Sequence, residues 1–235
     1  MVRYIDSKKM GRSFLGWLDS LFHFSFAEYY NPENIQFGAL RVVNDDKVEP
    51  GTGFDTHPHR DMEIISYVID GELTHADSMG NKHTLTRGQV QYMSAGTGVL
   101  HSEHNLGDSM LRFLQIWILP DAKGHKPNYG DCRFSMEERE NRWLPVATGV
   151  DNAGSDAPIR IHQDVNVYAT LLTNKEHIDF PVKEGRQAYL IMIEGSADIN
   201  GVHVGTRDAL EITGESVTIK PEGSAHILVI EMAKD

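Results

Sequence analysis

Two pairs of metal-binding residue types stand out in the chain, each with a single residue between its members. His57 and His59 form the first pair, and His101 and Glu103 form the second about forty residues later. On an extended strand, residues i and i+2 project from the same face about 7 Å apart at the backbone. Three imidazoles and one carboxylate suit Fe(II), Mn, Ni, Cu or Zn and leave coordination positions open for substrate or water. The spacing therefore predicts one divalent transition-metal site on these four residues.

The remaining histidines and Glu63 have weaker claims to this metal. A single histidine in a β protein is usually a surface or hydrogen-bonded residue. On this basis several histidines are interpreted as non-ligating: His75, His83, His104, His125, His162, His177, His203 and His226. Glu63 formally shares the strand face of His59, but a bulge would turn it away, so we expect it to have a supporting or structural role. Cys132 is the only cysteine, which excludes an internal disulfide and a thiolate cluster.

Short strands must bring the two pairs together. Residues 62–104 consist of short apolar runs separated by glycine and small polar residues, a pattern typical of an antiparallel meander. Tight reversals are expected at residues 70–71, 78–81, 87–88 and 94–98. The predicted strands are 62–69, 72–76, 82–86, 89–93, 99–104 and, beyond them, 111–119.

A boundary is expected at Pro120, after which the composition becomes polar and rich in glycine. Ser135 and Glu138 have the spacing of a capping box for one short helix, and residues 148–158 are predicted to form a mobile loop. We therefore expect a metal-binding domain over 1–120, a linker with the short helix and the loop over 121–160, and a second domain over 161–235.

The last third of the chain repeats the pattern of the first. The Ile-Glu-Gly at 193–195 matches the Ile-Asp-Gly at 69–71, and Arg207-Asp208 matches Arg87-Gly88. A tight hairpin at Asn200-Gly201 would absorb the difference in length between the two repeats. With 235 residues and 40% hydrophobic composition, the chain can build packed cores. The sequence therefore predicts an all-β chain of two tandem barrels with minor helix.

The charge of the chain restricts its partners. Lys and Arg number 22 and Asp and Glu 34, a formal net charge of −12 that repels nucleic acid and anionic lipid. The sequence shows neither a long apolar span nor the pattern of a secretory signal, which favours a cytoplasmic protein with no membrane or direct nucleic-acid partner. Two barrels in one chain supply the packing that a single barrel gains by dimerising, which favours a monomer.

The motifs around the metal-binding pairs resemble a known family. GTGFDTHPHRDMEIISYVIDG and RGQVQYMSAGTGVLHSEHN are similar to the two motifs of the cupin superfamily, specifically of the pirin family. The stretch GWLDSLFHFSFAEYYNPENIQFGALRVVNDDKVEPG ahead of them also resembles pirins, above all the short bacterial ones. The resemblance implies a bicupin, two double-stranded β-helix barrels of which the first holds the metal. The family's ligands carry over onto His57, His59, His101 and Glu103.

The resemblance also implies a second barrel without a metal site. By the internal offsets, the positions equivalent to the four ligands are Pro181, Lys183, Pro221 and Gly223, none of which suits a metal. His226 is nearby but is expected to lack partners for a site. Three residues separate His59 from Glu63 where cupins usually have four, a departure that pirins share and that lowers the prospect of Glu63 as a ligand.

Quercetin 2,3-dioxygenase activity is attributed to several pirins, which implies a metal-dependent dioxygenase that cleaves flavonols with O₂, with Fe(II) favoured as the cofactor. Glu103 or water would accept the proton of the flavonol 3-hydroxyl. Gln115, Trp117 and Met93 are candidates to line the pocket, and ordinary core packing explains them equally well.

Two other functions fit the same residues. One is a regulatory protein that senses metal or redox state and binds a protein partner, as the mammalian family member is regarded as a transcriptional coregulator. The other is an isomerase or hydrolase that uses the metal as a Lewis acid. Coupling of substrate loss to O₂ consumption would separate the dioxygenase from both.

Overall fold

A computed structural model describes residues 1–234 as an almost entirely β protein. Strands β1 to β12 are Val2–Ile5, Gly11–Phe14, Leu18–Phe22, Leu40–Val48, Thr52–His59, Glu63–Asp70, Leu73–Asp77, Lys82–Leu85, Val90–Ser94, Val99–Asn105, Leu111–Ile118 and Asn128–Cys132. Strands β13 to β20 are Leu144–Gly149, Ile159–Ile161, Val165–Leu172, Ile178–Phe180, Arg186–Ile199, Val202–Gly205, Ala209–Thr213 and Val217–Ala233. Two single turns of 3₁₀ helix lie at Ser7–Lys9 and Glu137–Arg139.

The described chain divides into two compact units. The first, here called the N-terminal barrel, comprises residues 11–134 and 161–163. The second, the C-terminal barrel, comprises residues 1–10, 135–160 and 164–234. These bounds differ from the predicted division at 120 and 160, because both the first strand and the predicted linker pair with strands far away in sequence.

Two antiparallel sheets form the N-terminal barrel. One sheet has seven strands in the order β12-β9-β6-β11-β4-β3-β2, and the other has four in the order β5-β10-β7-β8. Apolar side chains from both sheets pack in one cluster, which includes Val68 and Phe113 from the larger sheet and Leu73 and Leu85 from the smaller. Burying each such side chain contributes about 2 kcal/mol, so this cluster holds the two sheets face to face.

The predicted meander is confirmed, and every predicted strand end between residues 62 and 119 lies within one residue of the observed end. Strands β5 and β10 pair directly, with His57 opposite His101 and His59 opposite Val99. The register shifts between His101 and Glu103, so that Glu103 lies opposite Phe54. This irregularity separates the carboxylate from the row of histidines.

One nine-stranded sheet forms the C-terminal barrel, in the order β1-β19-β17-β20-β15-β13-β14 with β16 and β18 paired at its sides. Register shifts in the long pairing of β17 with β20 bend these strands, and Gly195 occupies one of them with φ +81°. The predicted hairpin at Asn200-Gly201 is confirmed, since both residues have positive φ, as a tight two-residue turn requires.

The predicted linker is structured. Asn128–Cys132 pairs with β9 as an edge strand of the N-terminal barrel, which explains its polar composition. Glu138 accepts a 2.6 Å hydrogen bond from the backbone N–H of Ser135, which is one of the two bonds of a capping box, and the helix is a single 3₁₀ turn whose N-cap is Met136. The predicted loop begins at residue 150, because Thr148 is buried in β13. Within residues 1–234, neither helical turn has the length or the apolar character needed to span a membrane.

Candidate functional site

Three imidazoles meet on the inner face of the small sheet in the N-terminal barrel. The ring centroids of His57, His59 and His101 lie 4.5 to 4.9 Å apart. One nitrogen from each ring lies within 4.8 Å of the other two, and the Nε2 atoms of His57 and His101 are 3.0 Å apart. Two nitrogens bound to one ion at about 2.1 Å and at a right angle would be about 3.0 Å apart. The spacing of these rings therefore fits a single cation.

Two histidines of this cluster, His59 and His101, are held in the uncharged form that a metal needs. The pKa of His101 is lowered to about 3, first by burial and then by the neighbouring rings of His57 and His75. The pKa of His59 is lowered to about 4, first by burial and then by His101 and His57. The Nδ1 atom of His57 lies 2.7 Å from the backbone carbonyl of Asp55, which can only accept, so this nitrogen donates and Nε2 keeps its lone pair. At neutral pH, His59 and His101 therefore offer neutral nitrogen donors that suit a divalent transition metal.

Glu103 lies beside the cluster, and its carboxylate is held by the large sheet. Oε1 accepts hydrogen bonds from Ser66 Oγ at 2.9 Å and Gln91 Nε2 at 2.7 Å, and Oε2 accepts one from Gln115 Nε2 at 2.5 Å. Ser66 lies opposite both Gln91 and Gln115 across adjacent strands, so one polar row of the sheet supplies all three donors. The carboxylate oxygens of Glu103 are not within 4.8 Å of a nitrogen from each of the three rings His57, His59 and His101. A carboxylate oxygen of Glu103 does lie within this distance of a nitrogen from His75 and one from His101.

His75, which we predicted to be non-ligating, is fully buried behind His101. Its Nδ1 lies 3.4 Å from His101 Nδ1, and its Nε2 lies 3.1 Å from Asp77 Oδ2. Burial raises the pKa of Asp77, but hydrogen bonds from Asn81, His75 and the backbone outweigh it and hold this pKa below its usual value. Sequence reasoning missed this pair, although His75 and Asp77 repeat the i, i+2 spacing of the two metal-binding pairs.

Glu63 and His104 point away from the cluster. Glu63 is buried and accepts a 2.6 Å hydrogen bond from Ser94, with His162 Nδ1 3.4 Å from its other oxygen. His104 is on the opposite face of β10 from His101, and its Nε2 lies 3.3 Å from Asp55 Oδ1. These contacts agree with the structural role expected for Glu63 and with the non-ligating interpretation of His104.

A cavity of about 330 Å³ opens beside His57, His59 and Glu103. Its apolar wall is rich in aromatic side chains: Phe22, Phe26, Phe54 and Trp117. The Trp117 ring is edge-on to His59 with their centroids 4.9 Å apart. Two polar atoms of lining residues, Trp117 Nε1 and Asn44 Oδ1, are buried without a hydrogen-bond partner.

Of the three pocket candidates from the sequence, Gln115 and Trp117 line this cavity. Met93 is buried against Ile64 and Val99, as the core-packing interpretation requires. Gln115 also orients Glu103, a role that its position on a strand did not reveal.

The C-terminal barrel lacks an equivalent cluster: among its described residues, no three His, Cys, Asp or Glu side chains converge. His226 Nδ1 lies 2.9 Å from a carboxylate oxygen of Glu194, the residue opposite it in the sheet, but among the described residues this pair belongs to no group of three such side chains. A cavity of about 560 Å³ is lined by Pro181 and Lys183, two of the positions equivalent to ligands, but it contains no imidazole. Arg186 there is paired with two carboxylates.

Comparison with known families also gives two parts, one in each half of the chain. Residues 5–118 match the family model described as Pirin, and residues 150–232 match the model described as quercetinase C-terminal cupin domain. The match to the Pirin model includes all four predicted ligands. The match to the C-terminal cupin model includes the long strands of the C-terminal barrel.

Relatives and solved structures match over nearly the whole length. The chain is 41% identical to a pirin-like protein of Caulobacter vibrioides over 97% of this chain and 100% of that one. It is 38% identical to a quercetin 2,3-dioxygenase of Escherichia coli (strain K12) over 99% of both. The crystal structure of the bacterial pirin YhhW from Escherichia coli in complex with nickel(II) superposes with a TM-score of 0.92, at 37% identity over 100% of both chains.

Proposed function

Because this chain belongs to the pirin family of cupin proteins, we propose that it is a metal-dependent dioxygenase that cleaves flavonols with O₂, as a quercetin 2,3-dioxygenase does. The observation that carries this proposal is the cavity with aromatic walls beside His57, His59 and His101. A neutral nitrogen cluster alone would fit many metalloproteins, but an adjoining aromatic cavity fits a flat, polycyclic substrate.

The cofactor in this proposal is one divalent transition metal, with Fe(II) favoured and Mn, Ni, Cu and Zn as alternatives that the same donors accept. His57, His59, His101 and Glu103 would hold it. When bound, the metal supplies Lewis acidity toward the flavonol oxygen and an electron path to O₂. The nickel(II) complex of the Escherichia coli relative supports a divalent ion as the cofactor.

The cavity residues would bind and orient the substrate. Aromatic rings prefer offset or edge-to-face contacts, and the rings of Phe26 and Trp117 already meet edge-on with their centroids 5.5 Å apart. A flavonol carries hydroxyl and carbonyl groups, which complement the polar side chains that line the cavity, among them Ser20, Asn44 and Gln115. The same apolar wall would exclude water from the reacting carbons.

Glu103 is the proposed acceptor of the proton from the substrate 3-hydroxyl. Its Oε1 already accepts two hydrogen bonds, whereas Oε2 accepts one, from Gln115. Oε2 therefore has the one free acceptor position, which serves either the metal or the proton of the 3-hydroxyl, and Gln115 would hold this oxygen in place in both cases.

The test is to prepare the protein metal-free, load it with Fe(II), Mn, Ni, Cu or Zn singly, and follow quercetin loss, O₂ consumption and CO release together. We expect at least one metal to support loss of quercetin with equal amounts of O₂ consumed and CO released. If no metal supports turnover coupled to O₂, the dioxygenase proposal fails, and metal-dependent binding of a protein partner becomes the function to test.

A matched pair of variants ties activity to the cluster. His101→Ala should weaken metal binding by at least about tenfold and reduce turnover with it. His104→Ala changes a residue three positions further along the same strand, on its opposite face. Metal binding and turnover should both be unchanged in this variant. Equal loss in the two variants would show that the strand, and not the cluster, determines activity.

A further inference from the structure

A buried chain of polar contacts runs from a carboxylate to the back of His101. Asp77 Oδ1 accepts hydrogen bonds from the backbone N–H groups of Met79 and Asn81 at 2.9 and 3.1 Å, and Asn81 Nδ2 donates to both carboxylate oxygens. Asp77 Oδ2 also lies 3.1 Å from His75 Nε2, and the side chains of Asp77 and His75 are both fully buried. Every neighbour of this carboxylate is a donor, so Asp77 acts as an acceptor throughout.

The order of donors and acceptors along this chain determines which nitrogen of each ring carries hydrogen. Since Asp77 accepts, His75 Nε2 must carry the hydrogen that it donates. An imidazole with one ring hydrogen accepts at its other nitrogen, which in His75 is Nδ1, 3.4 Å from His101 Nδ1 and at the long end of the hydrogen-bonding range. His101 Nδ1 must therefore be the donor, which leaves the Nε2 of His101 with a free lone pair.

That free nitrogen faces the rest of the cluster. His101 Nε2 lies 3.0 Å from His57 Nε2, whose lone pair is kept free in the same way by the carbonyl of Asp55. The ring plane of His75 is also fixed, because Tyr129 stacks on it with centroids 4.3 Å apart and an interplanar angle of 12°. The contacts behind the cluster thus direct both lone pairs toward one point.

We propose that Asp77 and His75 are positioning residues that hold His101 in the tautomer whose Nε2 binds the metal. In metal sites generally, a partner on the far nitrogen of a histidine ligand fixes its tautomer and orientation, and its loss typically costs 10- to 100-fold in metal affinity. This inference rests on the metal site of the proposed function but not on the reaction, so it is tested without substrate or O₂.

The decisive variant is Asp77→Asn, which keeps the shape of the side chain. The backbone N–H groups of Met79 and Asn81 require the remaining amide oxygen at the Oδ1 position, so the NH₂ group must face His75, and the side-chain amide of Asn81 must turn its oxygen toward that NH₂ group. Donation from this NH₂ would reverse the chain: His75 Nδ1 would donate to His101, and the hydrogen of His101 would move to Nε2. A change of one atom in a residue that does not bind the metal would then block a ligand.

The experiment measures the affinity of metal-free protein for Ni(II) by competition with a chelator at neutral pH, and the tautomer of His101 by ¹⁵N NMR of histidine-labelled protein. We expect Asp77→Asn to bind Ni(II) at least tenfold more weakly than wild type at an unchanged melting temperature, with the NMR signal of a protonated Nε2. The matched control is Asp131→Asn, since Asp131 lies 2.6 Å from His83 in a similar pair that does not contact His101. The control should bind Ni(II) as wild type does.

Two variants of His75 provide a second test that does not depend on Asp77. His75→Phe keeps a ring against Tyr129 but removes the acceptor, and it should weaken Ni(II) binding by at least tenfold. His75→Asn places an amide oxygen near the position of Nδ1 and should restore the affinity to within about threefold of wild type.

Several outcomes would overturn the inference. Unchanged Ni(II) affinity in both Asp77→Asn and His75→Phe would refute the positioning role while the metal site stands. Loss of a second bound Ni(II) ion in His75→Phe would show that His75 is itself a ligand. Failure of wild type to bind Ni(II) would overturn the metal site of the proposed function and this inference with it.

Discussion

The histidine cluster should make the metal-free protein sensitive to mild acid. The His101 side chain is 2% exposed, and its pKa is lowered from 6.5 to about 3. Between these two values the unfolded chain binds a proton at this residue and the folded chain does not. Stability from this group is therefore fully present above pH 6.5 and is lost as the pH falls toward 3.

The size of this loss follows from proton linkage. Each pH unit within the window costs about 1.4 kcal/mol per histidine, so lowering the pH from about 6.5 to about 5 costs about 2 kcal/mol at His101. His59, with its pKa lowered to about 4, contributes in the same direction but less, because it is partly exposed to solvent.

Urea unfolding of the metal-free protein at pH 7 and pH 5 measures the effect, with tryptophan fluorescence as the signal. The fall in unfolding free energy between these pH values should be about 2 kcal/mol smaller in His101→Gln than in wild type. His104→Gln, on the opposite face of the same strand, should show the full wild-type fall. If His101→Gln and wild type lose the same free energy between pH 7 and pH 5, the burial of a neutral His101 is refuted.

Two further predictions concern the framework of the barrels, and both are read from urea unfolding. A Cβ at Gly195 would lie 1.9 Å from a backbone carbonyl oxygen, so Gly195→Ala should lower the free energy of unfolding by more than about 3 kcal/mol. Gly214 also has a positive φ but faces open space, so Gly214→Ala should lower it by about 1 kcal/mol. Equal losses in the two variants would contradict the clash at Gly195. Asp45 forms a two-pronged, mostly buried ion pair with Arg112, so Asp45→Asn should lower the free energy of unfolding by about 3 kcal/mol. Asp19 forms an exposed pair of the same form, and Asp19→Asn should lower it by about 1 kcal/mol or less. A similar loss in both variants would contradict the prediction that burial makes the first pair the more costly to break.

The sequence was sufficient for the features that depend on local pattern. Alternation of apolar and polar residues, with glycine at the reversals, predicted the meander from 62 to 119 to within one residue at each strand end. The i, i+2 spacing of histidines also placed three rings on one face, because β5 and β10 pair with His57 opposite His101. Both results depend on the two-residue period of a strand.

Features that depend on distant pairing were missed. Val2–Ile5 pairs with Ala209–Thr213 in the C-terminal barrel, and nothing local in either segment indicates the other. The displacement of Glu103 comes from a register shift after His101, and strand alternation alone predicts no such shift. The roles of Asp77 and His75 also required the pairing of β7 with β10, which brings them behind the cluster. Monomeric state and cytoplasmic location remain predictions from the sequence.

The central claim is that His57, His59 and His101 converge on a single divalent cation. Crystals soaked in a Ni(II) salt and measured at the nickel absorption edge test it directly. We expect one strong anomalous peak within about 2.3 Å of a nitrogen from each of the three rings. The claim is contradicted if the soaked crystals show no peak at this cluster, with the three nitrogens outside coordination distance of any common point.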